Sequence, residues 1–183
     1  MRIIAGDYKG RRLETPEGYD VRPTTDKVKE ALFSIINFDI PGAKVLDLFG
    51  GTGQLGIEAL SRGAKFADFV DHRREAQELV RENLRRTGLE SKGEVHCMDY
   101  EAFLRSRKTQ YDLILLDPPY GENFLEKSLK IITEIDILSN DGIIISERPV
   151  GKPLDGDFPG LIAKKDRRYG TVLITKFRKS SEE

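Results

Sequence analysis

The sequence predicts an α/β fold. It reads as a mostly parallel sheet of seven strands with helices on both faces, an antiparallel C-terminal hairpin, and a small N-terminal β-hairpin and helix in front. Three observations predict it. From Lys44 to Glu147, short apolar runs alternate with amphipathic segments, the rhythm of a parallel sheet covered on both sides. The stretch 161–177, LIAKKDRRYGTVLITKF, instead reads as two strands joined near RYGT. Before Lys44, a turn-rich segment and a single helix stand outside the alternation.

Residues 2–15 place RIIAG and GRRLET around a DYKG turn, a small β element. In RPTTDKVKEALFSIINF, residues Val28, Ala31, Leu32, Ile35 and Ile36 fall on one helical face. Thr24 or Thr25 suits its N-cap, and Asp26 its positive end. KVLDLF is the first strand of the alternation; GGTG turns the chain into a helix through LGIEALSRG. KFADFVD, GEVHCMD, YDLILLD and GIIISE follow as strands two to five. The helices between them are RREAQELVRENLRRTG, closed by Gly88, then YEAFLRS and FLEKSLKIITEI. The domain reading is a small extension over residues 1–20 and one globular unit over 21–183.

The composition of 183 residues, 38% hydrophobic and 33% charged, is that of a globular chain of domain size. No apolar run is long enough for a membrane span, and no secretion signal is visible, so a cytoplasmic location is expected. The lone cysteine, Cys97, excludes an internal disulfide and reads as a small core residue. His96 reads as an ordinary strand residue, and no metal is expected. Net charge is −1, but both ends are basic. Arg2, Lys9, Arg11 and Arg12 face only Asp7 within residues 1–12. Lys164, Lys165, Arg167, Arg168, Lys176, Arg178 and Lys179 face only Asp166 within 164–179. A local basic face binds phosphate whatever the total charge.

In a sheet of this kind, ligands sit beyond the carboxyl ends of the strands. Asp47, Asp71, Asp99, Asp117 and Glu147 lie at or near those ends. Stability alone has no use for such a row of like charges. The loop after the first strand contains Gly51, Gly53 and Gly56 in a G-x-G-x-x-G spacing that would also suit a dinucleotide. Asp47 just before the loop, and the lack of a basic residue within it, disfavour a pyrophosphate. A ligand with an ammonium, a ribose and an adenine fits better. Asp47 would hold the ammonium through water or backbone, Asp71 the ribose hydroxyls, and Asp99 the adenine amine. S-adenosylmethionine has all three parts, with S-adenosylhomocysteine as its product. Gly50, Gly51 and Gly53 let the chain approach it closely, and His72 lines its edge.

Asp117-Pro118-Pro119-Tyr120 then reads as chemistry. Exocyclic amines of nucleobases are poor nucleophiles, because the lone pair is delocalised into the ring. The Asp117 carboxylate and the Pro118 carbonyl can accept the N–H bonds and localise that pair. Pro118 and Pro119 stiffen the turn, and the Tyr120 ring can stack on the base. Most of the acceleration would come from positioning and the removal of water.

VLDLFGGTG, FVD, CMD and DPPY in this order resemble the class I, Rossmann-like S-adenosylmethionine-dependent methyltransferases that act on exocyclic amines of nucleobases. Phe49 stands where many small-molecule enzymes of the class carry a glycine, as it often does in the amino-methylating branch. RIIAGDYKGRRL, RPTTDKVKEALFSII, LGIEALSRGA and RRYGTVLI closely resemble the RsmD-type family, which methylates N2 of a guanine in 16S ribosomal RNA, the 966 site. The resemblance runs from about Arg2 to Phe177. It implies a monomeric enzyme acting on an assembled or partly assembled small subunit, with the acceptor base flipped into the pocket. It also implies that the stretch around Arg22 and Thr24 closes over the methionine end of the cofactor, that Phe49 and Tyr100 help line its site, and that Lys9, Arg11, Arg12, Arg167, Arg168 and Tyr169 contact RNA. The strand-two acid is often Glu in relatives and is the shorter Asp71 here, so a ribose contact requires a slight backbone shift. Three alternatives stay open: a methyltransferase for adenine N6 in DNA or RNA, a dinucleotide-dependent oxidoreductase, and a catalytically silent RNA-binding module.

Overall fold

The computed structural model describes residues 1–16 and 24–180. Helix α1 covers Thr24–Ile35 and the first strand, β1, covers Lys44–Asp47. Then α2 (Gln54–Ser61), β2 (Phe66–Asp71), α3 (Arg74–Thr87), β3 (Gly93–Cys97), α4 (Tyr100–Ser106), β4 (Tyr111–Leu116) and α5 (Phe124–Ile135) alternate as the periodicity predicts. The chain finishes with β5 (Leu138–Pro149), β6 (Leu161–Ala163), β7 (Arg167–Tyr169) and β8 (Val172–Lys179). The strand order is β3-β2-β1-β4-β5-β8-β6, with β7 also paired to β8. The first five strands are parallel and β8 is antiparallel to its three partners.

The sheet has eight strands where the sequence predicts seven. β6 pairs with the end of β8 and β7 with its start, so the two are one predicted strand interrupted at Lys164–Asp166. Asp166 explains the interruption. Its carboxylate accepts from the Arg148 guanidinium at 2.5 Å and from Thr175 Oγ1 at 2.6 Å. The N-terminal hairpin is also shorter than a ladder: Arg2 and Arg12 form one antiparallel bridge.

Side-chain alternation divides the core into two layers. Val45, Phe69, Leu113, Leu115, Ile143 and Ile145 face α1, α2, α3 and the N-terminal segment. Leu46, Val70, Ile114, Leu116 and Ile144 face α4 and α5. Burying both faces is what makes these strands nearly continuous in apolar residues. The N-terminal segment is held by a polar anchor in the first layer. Glu58, fully buried on α2, accepts from the amides of Ile4 and Ala5 at 2.9 and 3.0 Å and pairs with Arg62 and Lys29. Burial pushes the Lys29 ammonium down, and the Glu58 charge works against that shift. No helix among the described residues is long and apolar enough to cross a membrane.

A buried network pins the other end of the sheet. Tyr111 Oη donates to Asp68 at 2.7 Å, and His96 Nε2 lies 2.7 Å from the same carboxylate. Arg107 can only donate, so its contact to His96 Nδ1 leaves the imidazole proton on Nε2, toward Asp68. His96 is therefore a network member rather than an ordinary strand residue. Asp68, Glu94 and His96 bring three ligand atoms within 4.8 Å of one another, but donors already occupy both Asp68 oxygens. Cys97 is exposed, not a core residue, because β3 is an edge strand.

Candidate active site

The site is built where the parallel strands end. Alternation puts Asp47, Asp71, Asp117 and Glu147 at positions of one parity, that of the layer containing α1 to α3. Register sets their levels. Asp47 pairs with Phe69 and Leu115, two residues below Asp71 and Asp117. Leu116 pairs with Ser146, so Asp117 and Glu147 follow at the next step of neighbouring strands.

Asp47 is 2% exposed, and its Oδ2 accepts from the Gly56 amide at 3.0 Å. Burial pushes its carboxyl up to about 7; the Gly56 hydrogen bond opposes this, while the charges of Asp117 and Asp71 add to it. A buried acid so poised is stabilised in its charged form by a cation brought by a ligand. The loop above it is shaped by glycine. Gly51 has φ +54°, and a Cβ there would meet nothing nearer than the Phe49 carbonyl at 3.9 Å, so this side is open. Gly53, at φ +79°, is the N-cap of α2, and Gly50 N donates to Val70 O at 2.8 Å. The loop is thus fixed from below and bare above.

Asp71 is more committed than the sequence suggests. Its oxygens accept from the Gly51 amide at 3.1 Å and from the Arg73 amide and guanidinium at 2.9 to 3.0 Å. Burial would raise its carboxyl, but the Arg73 bonds and charge and the Gly51 bond outweigh it and hold the group below its usual range. A ribose must therefore share this carboxylate with Arg73, whose side chain is 54% exposed and able to turn outward. Asp99 lies just past β3 as the N-cap of α4; its Oδ1 accepts from the amides of Glu101 and Ala102 at 2.9 and 3.1 Å. Capping uses one oxygen, and the residue is exposed, so the other oxygen can face a ligand. His72 is exposed beside Asp71. The donor set, four carboxylates around a bare glycine loop with no cation in the loop, fits an ammonium-bearing nucleoside better than a pyrophosphate.

Three rings close the opposite wall. Phe49 lies 5.2 Å from Tyr100 and 6.1 Å from Phe124, and Tyr100 meets Phe124 edge-on at 5.7 Å. Tyr100 donates to Glu101 at 3.0 Å, and burial followed by that bond pushes its hydroxyl up. Sequence reasoning missed Phe124; its signal was its place just after the DPPY turn, at the start of α5. It also missed Arg73, two residues beyond Asp71.

Asp117 is half-buried, Pro118 buried, Pro119 exposed, and Tyr120 51% exposed at the mouth of a narrow groove. That groove is also lined by Glu122, Leu125, Glu147 and Lys152. Burial and the nearby Asp117 charge push Glu147 up to about 8. A larger groove of about 370 Å³ lies along the β7–β8 flank, lined by Ile35, Lys164, Lys165, Asp166, Arg167, Ile174 and Lys176. It holds none of the strand-end acids.

The two basic ends do not come together. Lys9, Arg11 and Arg12 are exposed on the segment docked against α2 and α3. Arg11 donates to Thr87 O at 2.5 Å and covers the Tyr8 ring, which gives it a structural task. Arg167, Arg168 and Tyr169 form β7 on the opposite flank, beyond β5 and β8. Arg22 and the Thr24 side chain lie outside the described residues.

A family model described as conserved hypothetical protein 95 matches residues 1–178. A Bacillus subtilis protein named "Putative rRNA methyltransferase YlbH" is 39% identical over 182 residues, covering 98% of this chain and 99% of that one. Escherichia coli "Ribosomal RNA small subunit methyltransferase D" is 33% identical over 150 residues, covering 82% and 75%. Among solved structures, the Escherichia coli "Putative methyltransferase yhhF" superposes with a TM-score of 0.89 at 27% identity, covering 100% and 99%. The carboxylate row, the glycine loop and the DPPY turn thus sit on a methyltransferase fold, and the chain belongs to the conserved hypothetical protein 95 family, that of the RsmD-type methyltransferases.

Proposed function

We propose that this chain transfers a methyl group from S-adenosylmethionine to the exocyclic N2 amine of a guanine in 16S ribosomal RNA, at the 966 site of the small subunit. The observation that carries the reading is the half-buried Asp117 on a double-proline turn, at the end of the strand that neighbours β1 and its glycine loop. The name of the Escherichia coli relative, for small-subunit ribosomal RNA, supports the choice of RNA.

When bound, the cofactor supplies an electrophilic methyl on a sulfonium. Asp47, Asp71, Asp99 and the Gly50–Gly53 loop would hold it, with Phe49 and Tyr100 on the wall. Asp117 and the Pro118 carbonyl accept the amine N–H bonds, aim the nitrogen and favour the charge it gains in the transition state. Asp117 need not be a strong base, since the amine acidifies as it becomes cationic. Tyr120 stacks on the flipped base. Cations on both flanks of β4, Lys9 and Arg12 on one side and Arg167 and Arg168 on the other, would take the phosphates of an RNA laid across the strand ends. The substrate is an assembled or partly assembled subunit, and the enzyme works as a monomer.

The test is transfer of labelled methyl from cofactor to small subunits lacking the modification, followed by nucleoside analysis. N2-methylguanosine is the expected product. N6-methyladenosine, or no transfer, would overturn the substrate assignment. Thermal stabilisation by NADH and none by S-adenosylhomocysteine would sink methyl transfer altogether.

A further inference from the structure

Glu147 has no part in the chemistry just described, yet it lines the narrow groove beside the double-proline turn and Tyr120. It follows Asp117 in register on the neighbouring strand and lines the groove with Pro118, Pro119 and Tyr120. Among the described residues, no side chain or amide donates a hydrogen bond to it. The two described cations that line this groove with it are spent elsewhere. Arg148 donates to Thr175, Asp166 and Lys152 O, and Lys152 Nζ donates to Glu122 O at 3.0 Å. Its oxygens are not sealed from water, so solvent is its donor in the ligand-free protein, and a half-buried carboxyl beside a second acid contributes nothing to the fold. Such a placement is characteristic of a group whose partner arrives with the substrate. The Glu147 carboxyl, pushed up to about 8 by burial and by Asp117, registers the same mismatch.

Resting on the guanine-N2 reading above, we infer that Glu147 determines base specificity by accepting the N1–H of the acceptor guanine while Asp117 accepts from its N2 amine. Guanine offers N1–H and N2–H₂ as adjacent donors on one edge, which matches two neighbouring carboxyl groups. Adenine offers one amine and a lone pair at N1, so a carboxylate at position 147 repels it. DPPY serves either amine; the acid on the next strand separates the two bases.

The experiment uses small subunits reconstituted on ligated 16S RNA with either guanine or 2-aminopurine at the acceptor. 2-Aminopurine keeps the N2 amine but carries a lone pair at N1. At about pH 9, where Glu147 is charged, wild-type protein should methylate 2-aminopurine at least ~100-fold less efficiently in kcat/KM, the scale for a site built to pair a missing donor. Glu147→Gln can offer either an oxygen or an N–H to N1 and should narrow that gap to below ~10-fold. Glu147→Ala should lose activity on guanine while also losing the discrimination. Equal use of both bases by wild type, or an unchanged ratio in Glu147→Gln, overturns the inference and leaves the guanine-N2 reading standing. No transfer to guanine by wild type takes down both.

Discussion

Asp117 and Asp47 stand at one sheet edge, yet different forces act on them. Asp117 is half-buried at a strand exit, where a base can reach it. Asp117→Ala should lower methyl transfer about 10³-fold, the scale for removing a group aimed at developing charge. Calorimetry with S-adenosylhomocysteine should find affinity nearly unchanged; a parallel loss of affinity would reassign the residue to the cofactor. Asp47 is sealed beneath the glycine loop, and its folded-state carboxyl titrates near 7, above the ordinary value of 3.8. A raised acid contributes stability that is complete below the unfolded pKa and is lost as pH rises through the folded one. The ligand-free protein should therefore lose stability from Asp47 between about pH 4 and 7. Asp47→Asn should melt higher than wild type at pH 8, lose that advantage near pH 4, and bind S-adenosylhomocysteine poorly. Equal melting temperatures at pH 8 would argue that water reaches the Asp47 carboxylate.

At the scale of elements, the glycine loop does two jobs with different residues. Gly51 and Gly53 supply left-handed turns, whereas Gly56 permits contact. A Cβ at Gly56 would lie 2.3 Å from Phe69 Cε1 and 2.8 Å from Cζ, on a ring buried in the sheet. Gly56→Ala must push α2 away from β2 and should cost about 1–3 kcal/mol of stability, read by urea denaturation. Because the Gly56 amide also holds Asp47, cofactor affinity should fall with it. Stability lost with affinity intact would mean that the loop moves independently of the helix. The loop pattern was legible in the sequence because it depends on backbone dihedrals and local spacing. The ring trio of Phe49, Tyr100 and Phe124 was not, since it depends on how three loops from different strands meet; the pinning of Asp71 by Arg73 is local, and it depends on the turn beyond β2 folding Arg73 back onto the carboxylate.

For the whole molecule, the acidic strand ends lie between two basic flanks, although net charge is only −1. The β7–β8 flank presents Lys164, Lys165 and Arg167 along its groove, while Lys176 and Arg178 are spent on Asp39. Replacing Lys164, Lys165 and Arg167 together with Ala should weaken RNA binding and reduce the slope of log affinity against log salt by about 2–3, near 0.7–0.9 for each lost phosphate contact. Filter binding across a salt series measures it; an unchanged slope would place the RNA path elsewhere.

The sequence by itself determined the alternating architecture, the row of strand-end acids, the glycine turns and the DPPY exit. Each is encoded within a few residues, by side-chain periodicity, by φ preference, or by proline's missing amide. Only the tertiary structure decided how the acids differ. Asp47 is buried and poised near neutrality, Asp71 is held low by Arg73, Asp99 is a helix cap, and Glu147 lies beside Asp117 with no donor among the described residues. In the sequence the five read alike. Asp47 and Glu147 are set by burial and by acids on neighbouring strands, distances that exist only once the sheet has set its register; Asp71 and Asp99 are set by donors two or three residues along, held by the turn beyond each strand.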